Sequence, residues 1–185
     1  METDEVYERF IAWLKKSWYG VPRPEEALPL LRVRYTEEEA ALLTGMPFAP
    51  KPLEDLARLK EMDPERLCEI LDRMARKGLV FRDEKDGIPR YGVNDVFFGM
   101  RTFGWPGRTD EISRTVAPPA NRYWEHGFLD PWEPVREKGL RVLPIMETVE
   151  NASGVRPYED AVRLLDSFNY FVVTVCPCKH IKNLD

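Results

Sequence analysis

The stretch from Asp63 to Val93 constrains the fold most, because it carries its own start, stop and turn signals in close succession. Asp63 is suited to cap a helix and Pro64 to its first turn, and Leu67, Ile70, Leu71 and Met74 fall on one face at helical spacing. Gly78, just past Lys77, is a stop signal. Leu79-Val80-Phe81 then reads as a strand, Asp86-Gly87 as a hairpin tip and Arg90-Tyr91-Gly92-Val93 as the returning strand. The pattern predicts a capped helix followed by an antiparallel hairpin.

Two more helices are predicted upstream. Thr36-Glu37-Glu38-Glu39 is a T-x-x-E capping box, in which hydroxyl and carboxylate each satisfy an orphan backbone N–H, and Gly45 follows Thr44 as its stop. Leu53, Leu56 and Ala57 mark a short helix ending near Lys60. Three helices followed by a hairpin is the plan of a winged helix, placed at residues 30–96. Residues 1–29 read as a helical extension, with Val6, Phe10, Trp13 and Leu14 at helical spacing and Gly20-Val21-Pro22 closing the pattern. A second short helix is expected from Glu25 to Leu31.

Residues 97–139 change character. Phe97, Phe98, Phe103, Trp105, Tyr123, Trp124, Phe128 and Trp132 stand among many glycines and prolines, which reads as a connection anchored by its aromatics, with an interaction surface as the other reading. Residues 140–185 read as a small α/β segment. Leu140 to Ile145 is expected as a strand, Tyr158, Ala161, Val162, Leu165 and Phe168 share a helical face, and Tyr170 to Val175 is an apolar strand. The fold class expected is therefore α+β, a winged helix followed by a strand-helix-strand unit. If its strands pair in parallel, the residues after Val175 lie at a carboxyl end of the sheet, where open α/β folds place their ligands.

At that position stands Cys176-Pro177-Cys178-Lys179-His180. The proline is expected to break the strand into a loop that lets both thiols face one centre. Thiolate sulfur is the soft ligand that iron–sulfur clusters and zinc select, and Lys179 favours the deprotonated form. On residues alone three readings stay open: metal ligands, free thiols in a buried turn, and a redox-active C-x-C disulfide. His180 reads as a solvated side chain before it reads as a third ligand. The third cysteine, Cys68, flanks the apolar stripe of its helix and reads as a small core residue. Three cysteines in 185 residues do not make a disulfide framework.

The charge is −5, with 27 Lys and Arg against 32 Asp and Glu, which argues against a chain built mainly to bind phosphate backbones. The N-terminus lacks a basic n-region, and no apolar run approaches the ~18 residues of a membrane span, so a cytoplasmic location without membrane partners is expected.

Leu31-Arg32-Val33-Arg34-Tyr35-Thr36-Glu37-Glu38-Glu39-Ala40, Asp63-Pro64-Glu65 and Met74-Ala75-Arg76-Lys77-Gly78-Leu79-Val80-Phe81 resemble the N-terminal winged-helix part of 4Fe–4S ferredoxin-type iron–sulfur proteins. Downstream, Val142-Leu143-Pro144, Pro157-Tyr158-Glu159 and Cys176-Pro177-Cys178-Lys179 are similar to that family's basic-tailed C-x-C segment. The resemblance implies that Cys176 and Cys178 are cluster ligands. Family members carry further cysteines beyond this point and the present chain does not, so the ligand set is incomplete in it. That departure suggests an amino-terminal portion of a longer product, or a cluster shared across a homodimer. The expected function is an iron–sulfur protein of electron-transfer or redox-accessory type whose winged helix docks a redox partner.

The alternative is a DNA-binding regulator with a thiol or metal sensor. It would use Arg66, Arg73, Arg76 and Lys77, but from Asp63 to Lys77 four acids balance these four bases, and the half of the helix that would meet base edges is mostly acidic. An enzymatic constellation is not evident: the sequence has no phosphate-cradling glycine motif and no H-E-x-x-H, and its only histidines are His126 and His180.

Overall fold

The computed structural model describes residues 2–95, 109–134, 158–171, 173 and 175–185. These belong to two compact units, one of residues 1–134 with 175–185 and a small one of residues 135–174. Helices and one antiparallel sheet make the first unit, an α+β arrangement as expected.

The first unit opens with helices α1 (Glu2–Leu14), α2 (Pro24–Arg34) and α3 (Glu37–Leu43). The helical spacing in α1 buries Tyr7, Phe10, Ile11 and Leu14 against α2 and α3. Trp13 adds a hydrogen bond from Nε1 to the Met46 carbonyl at 2.8 Å and stacks on Phe48. The capping box of α3 is complete: Glu39 N–H donates to Thr36 Oγ1 at 3.2 Å, and Thr36 N–H donates to Glu39 Oε2 at 3.0 Å. Strand β1 is only Lys51–Pro52, and α4 (Leu53–Lys60) follows it directly. Asp63 caps α5 (Pro64–Arg76) by accepting from Arg66 N–H at 2.9 Å, and the stripe Leu67, Leu71, Met74 is fully buried.

Strands β2 (Val80–Lys85) and β3 (Ile88–Val93) form the hairpin, with Val80 opposite Val93 and Lys85 opposite Ile88. Asp86 and Gly87 both take positive φ, +56° and +76°, which the two-residue turn requires to match the twist of its strands. β1 pairs with the other edge of β3, giving the order β1-β3-β2. The hairpin is tied to α5 by a polar chain in which Tyr91 Oη donates to Asp72 Oδ1 at 2.7 Å and Arg82 Nε donates to the same oxygen at 3.1 Å.

Part of the stretch expected as a connection is helical. Asp110 caps α6 (Glu111–Arg122) by accepting from Ser113 N–H at 2.8 Å; a π-helical stretch, Tyr123–Leu129, continues it into the short α7 (Asp130–Trp132). The aromatics expected to anchor this region do pack: Tyr123 and Phe128 are buried, and Trp124 stacks on Phe128 with ring centroids 5.0 Å apart. Gly127 is needed there, because a Cβ at that residue would lie 2.3 Å from the Tyr123 ring. Phe97, Phe98, Phe103 and Trp105 lie outside the described residues.

In the second unit α8 (Tyr158–Asp166) carries the expected helical positions Tyr158, Ala161, Val162 and Leu165. The strand expected at Leu140–Ile145 lies outside the described residues. The strand expected from Tyr170 to Val175 is a correction: Tyr170, Phe171, Val173 and Val175 have no strand conformation, and Val173 is 95% exposed. A strand needs a neighbour for its backbone N–H and C=O groups, and the described sheet offers these residues none. The last helix, α9 (Pro177–Leu184), belongs to the first unit.

Candidate thiol site

The C-x-C segment is the start of a helix, not the loop expected from its proline. Pro177 occupies the first helical position, where its missing N–H is one of the donors a helix leaves unpaired anyway and its fixed φ is already helical. Cys176 is the N-cap residue, and its carbonyl accepts the first helical hydrogen bond from His180 N–H at 2.9 Å. Cys176 is exposed and Cys178, within the first turn, is half-buried.

The far side of α9 is clamped to α6. Ile181 is fully buried in the same core as Val116, Ala117 and Ala120, and His180 is only 8% exposed, which corrects the expectation of a solvated histidine. Asn121, itself buried, donates from Nδ2 to the Ile181 carbonyl at 3.3 Å and to Asp185 Oδ2 at 3.0 Å. Lys182 Nζ reaches Glu125 Oε1 at 3.4 Å. The sequence reading missed Asn121, although it continues the apolar stripe of α6 one turn after Ala117 and is therefore a polar group aimed inward.

The helix start sets the chemistry of Cys176. The backbone N–H of Lys179 is the largest influence, and it holds the thiol below its ordinary pKa against some loss of hydration; the Cys178 N–H, the Lys179 charge and the Cys178 thiol act in the same direction. Cys176 makes no complete capping hydrogen bond, so the effect is that of amide dipoles facing the sulfur. Thiolate, not thiol, reacts with alkylating agents, so a lowered pKa extends reactivity to lower pH. Iodoacetamide labelling of Cys176, followed by mass spectrometry across pH, should reach half its maximal rate at lower pH in the folded chain than in the same chain in denaturant. Coincident profiles would show that the helix start does nothing for the sulfur.

Cys68 belongs to a different set of contacts. Its Sγ lies 3.5 Å from Tyr91 Oη, and because that hydroxyl already donates to Asp72, the Cys68 S–H is the donor. Burial, reinforced by Cys68 and Asp72, pushes the Tyr91 phenol well above its ordinary value, so it stays protonated. Among the described residues no three His, Cys, Asp or Glu side chains converge into a group able to hold a metal ion. Cys176 and Cys178 both lie at the start of α9, and among the described residues they belong to no such group.

On α5, Arg66, Arg73 and Arg76 are exposed, while Lys77 is drawn to Glu39 Oε1 at 2.5 Å. In the hairpin Arg82 pairs with Asp72 and Arg90 with Asp83, so these bases are engaged within the protein. A cleft of about 540 Å³ is lined by Tyr7, Tyr35 and the start of α6, but its flanking cations Arg32 and Lys77 are matched by Asp4 and Glu39. No described helix is long and apolar enough to cross a membrane. No family model, curated protein or solved structure matches the chain.

Proposed function

We propose that the chain is an iron–sulfur protein of the 4Fe–4S type, acting in electron transfer or as a redox accessory, with Cys176 and Cys178 as thiolate ligands. The observation that carries this reading is the placing of two thiols at the start of a clamped helix, one of them exposed and held toward its thiolate form. The donor chemistry fits iron–sulfur ligation, and zinc is the lesser candidate for the same sulfurs. The donor count does not fit a complete site, since Cys68 is engaged with Tyr91 and the sequence holds no other cysteine. The remaining ligands therefore come from a partner, a second copy of this chain or further sequence.

Three helices, α3, α4 and α5, followed by the β2–β3 hairpin support a winged-helix module. Its even charge, with Lys77, Arg82 and Arg90 paired within the protein, favours protein docking, to a redox partner, over a duplex. Anaerobic reconstitution of the full chain with ferrous iron, sulfide and a small thiol that completes the ligand set should give a broad band near ~400 nm, lost in both Cys176→Ser and Cys178→Ser. A colourless, iron-free product would remove the reading. Salt-dependent retention of duplex DNA at ~50 mM salt would replace it with the regulator.

A further inference from the structure

We propose that the turn after α1 is a docking surface for an anionic lipid bilayer, which it meets with the indole of Trp18 and the ammonium groups of Lys15 and Lys16. An amphipathic ring beside positive charge suits the headgroup level, where the ring enters the edge of the acyl region and the cations meet lipid phosphates. Trp18 is 85% exposed, and Lys15 and Lys16 are exposed close to it in the chain. Among the described residues neither lysine has a carboxylate partner, and Lys16 Nζ lies 4.9 Å from the centre of the Trp13 ring.

The turn is tied to the body of the first unit. Ser17 is buried, its N–H donates to the Leu14 carbonyl at 3.0 Å, and Gly20, at a φ of +63°, donates from its N–H to the Ser17 carbonyl at 3.1 Å. Tyr19 stacks on Trp18 with ring centroids 5.9 Å apart and meets the buried Phe128 at 6.2 Å. A bilayer therefore meets a ring already backed on one face, and less side-chain freedom is lost on contact. Phe128 also touches Trp132, which with Leu129 adds part-exposed apolar surface; Asp130 is matched there by Arg23 at 3.6 Å, and Glu133 leaves the lysine end as the centre of the contact. The net charge of −5 does not oppose this approach, because charges beyond a Debye length, about 8 Å at physiological salt, are largely screened. Such a contact needs no spanning segment, and with two charges and one ring it is reversible. It depends neither on the cysteines nor on the iron–sulfur reading.

The test sediments the full chain with vesicles of phosphatidylcholine alone and of phosphatidylcholine with about one-third phosphatidylglycerol, which supplies the negative surface. Binding is expected with the anionic vesicles only, and it should fall as added salt shortens the Debye length. Lys15→Gln and Lys16→Gln should each weaken partitioning about fivefold. Trp18→Ala should weaken it at least about tenfold, with an unchanged circular dichroism spectrum because the ring lies outside the core. Brominated lipid should quench the tryptophan fluorescence of vesicle-bound wild-type chain more than that of Trp18→Ala. Wild-type chain that stays in the supernatant at low salt, binds neutral vesicles equally well, or binds anionic ones no better than the three variants do would overturn the proposal. So would a dimer that Trp18→Ala dissociates, which assigns the ring to a second copy of the chain.

Discussion

Phe10→Ala is expected to lower the melting temperature of the full chain by about 6–20 °C, the shift that about 3–5 kcal/mol produces in a protein of this size. Phe10 is completely buried, meets Tyr35 edge-on at 5.1 Å, and sits in the same core as Leu30, Leu31, Ala40 and Leu43. Its removal leaves a cavity walled by three helices that cannot close over it without moving α1. The Tyr7 hydroxyl adds a constraint at that seam by donating to the Tyr35 carbonyl at 2.7 Å. Trp18 is the control: it is 85% exposed, and Trp18→Ala should shift stability by no more than about 0.5 kcal/mol. Thermal unfolding followed by circular dichroism decides the matter. A Phe10→Ala shift no larger than that of Trp18→Ala would mean that α1 is not part of the core.

Ile181→Ala should leave that transition almost unchanged and yet release α9. A helix of eight residues has little stability of its own in water, so its contacts with α6 are what keep it folded. Truncating its one fully buried side chain removes about 2–5 kcal/mol from docking. At a factor of ten per 1.4 kcal/mol, hydrogen exchange of the amides from 181 to 184 should accelerate at least about 30-fold, up to the limit of the undocked state. The amides of α5 should not change. Undisturbed protection in α9, or an equal loss in α5, would contradict a helix that opens separately from the body.

Where local chemistry decides structure, the sequence was legible. The Thr36 box, the Asp63 cap, the Leu67-Leu71-Met74 stripe and the Asp86-Gly87 turn each act through neighbours a few residues away, and each stands as read. Two of the misreadings share one cause, which is proline. Pro118 and Pro119 suggested a connection, yet they lie inside α6, where burial of Val116, Ala117 and Ala120 outweighs the lost backbone bonds. Pro177 suggested a break and instead begins a helix; position within the element, not the residue itself, sets its effect. β1 is too short for any periodic signal and exists because β3 offers it an edge. At the site, the two thiols are close in sequence, and both fall at the start of α9. The clamp was not legible, because Asn121 and Ile181 meet only through the fold.

That clamp also orders events in time. The bond from Asn121 to the Ile181 carbonyl joins residues 60 apart, so α9 finds its seat only after the face of α6 has been assembled. A nascent chain therefore carries both sulfurs for an interval in which neither amide dipoles nor packing organise them. In that interval the two thiols react as those of an unfolded segment do, and docking of the helix comes afterwards.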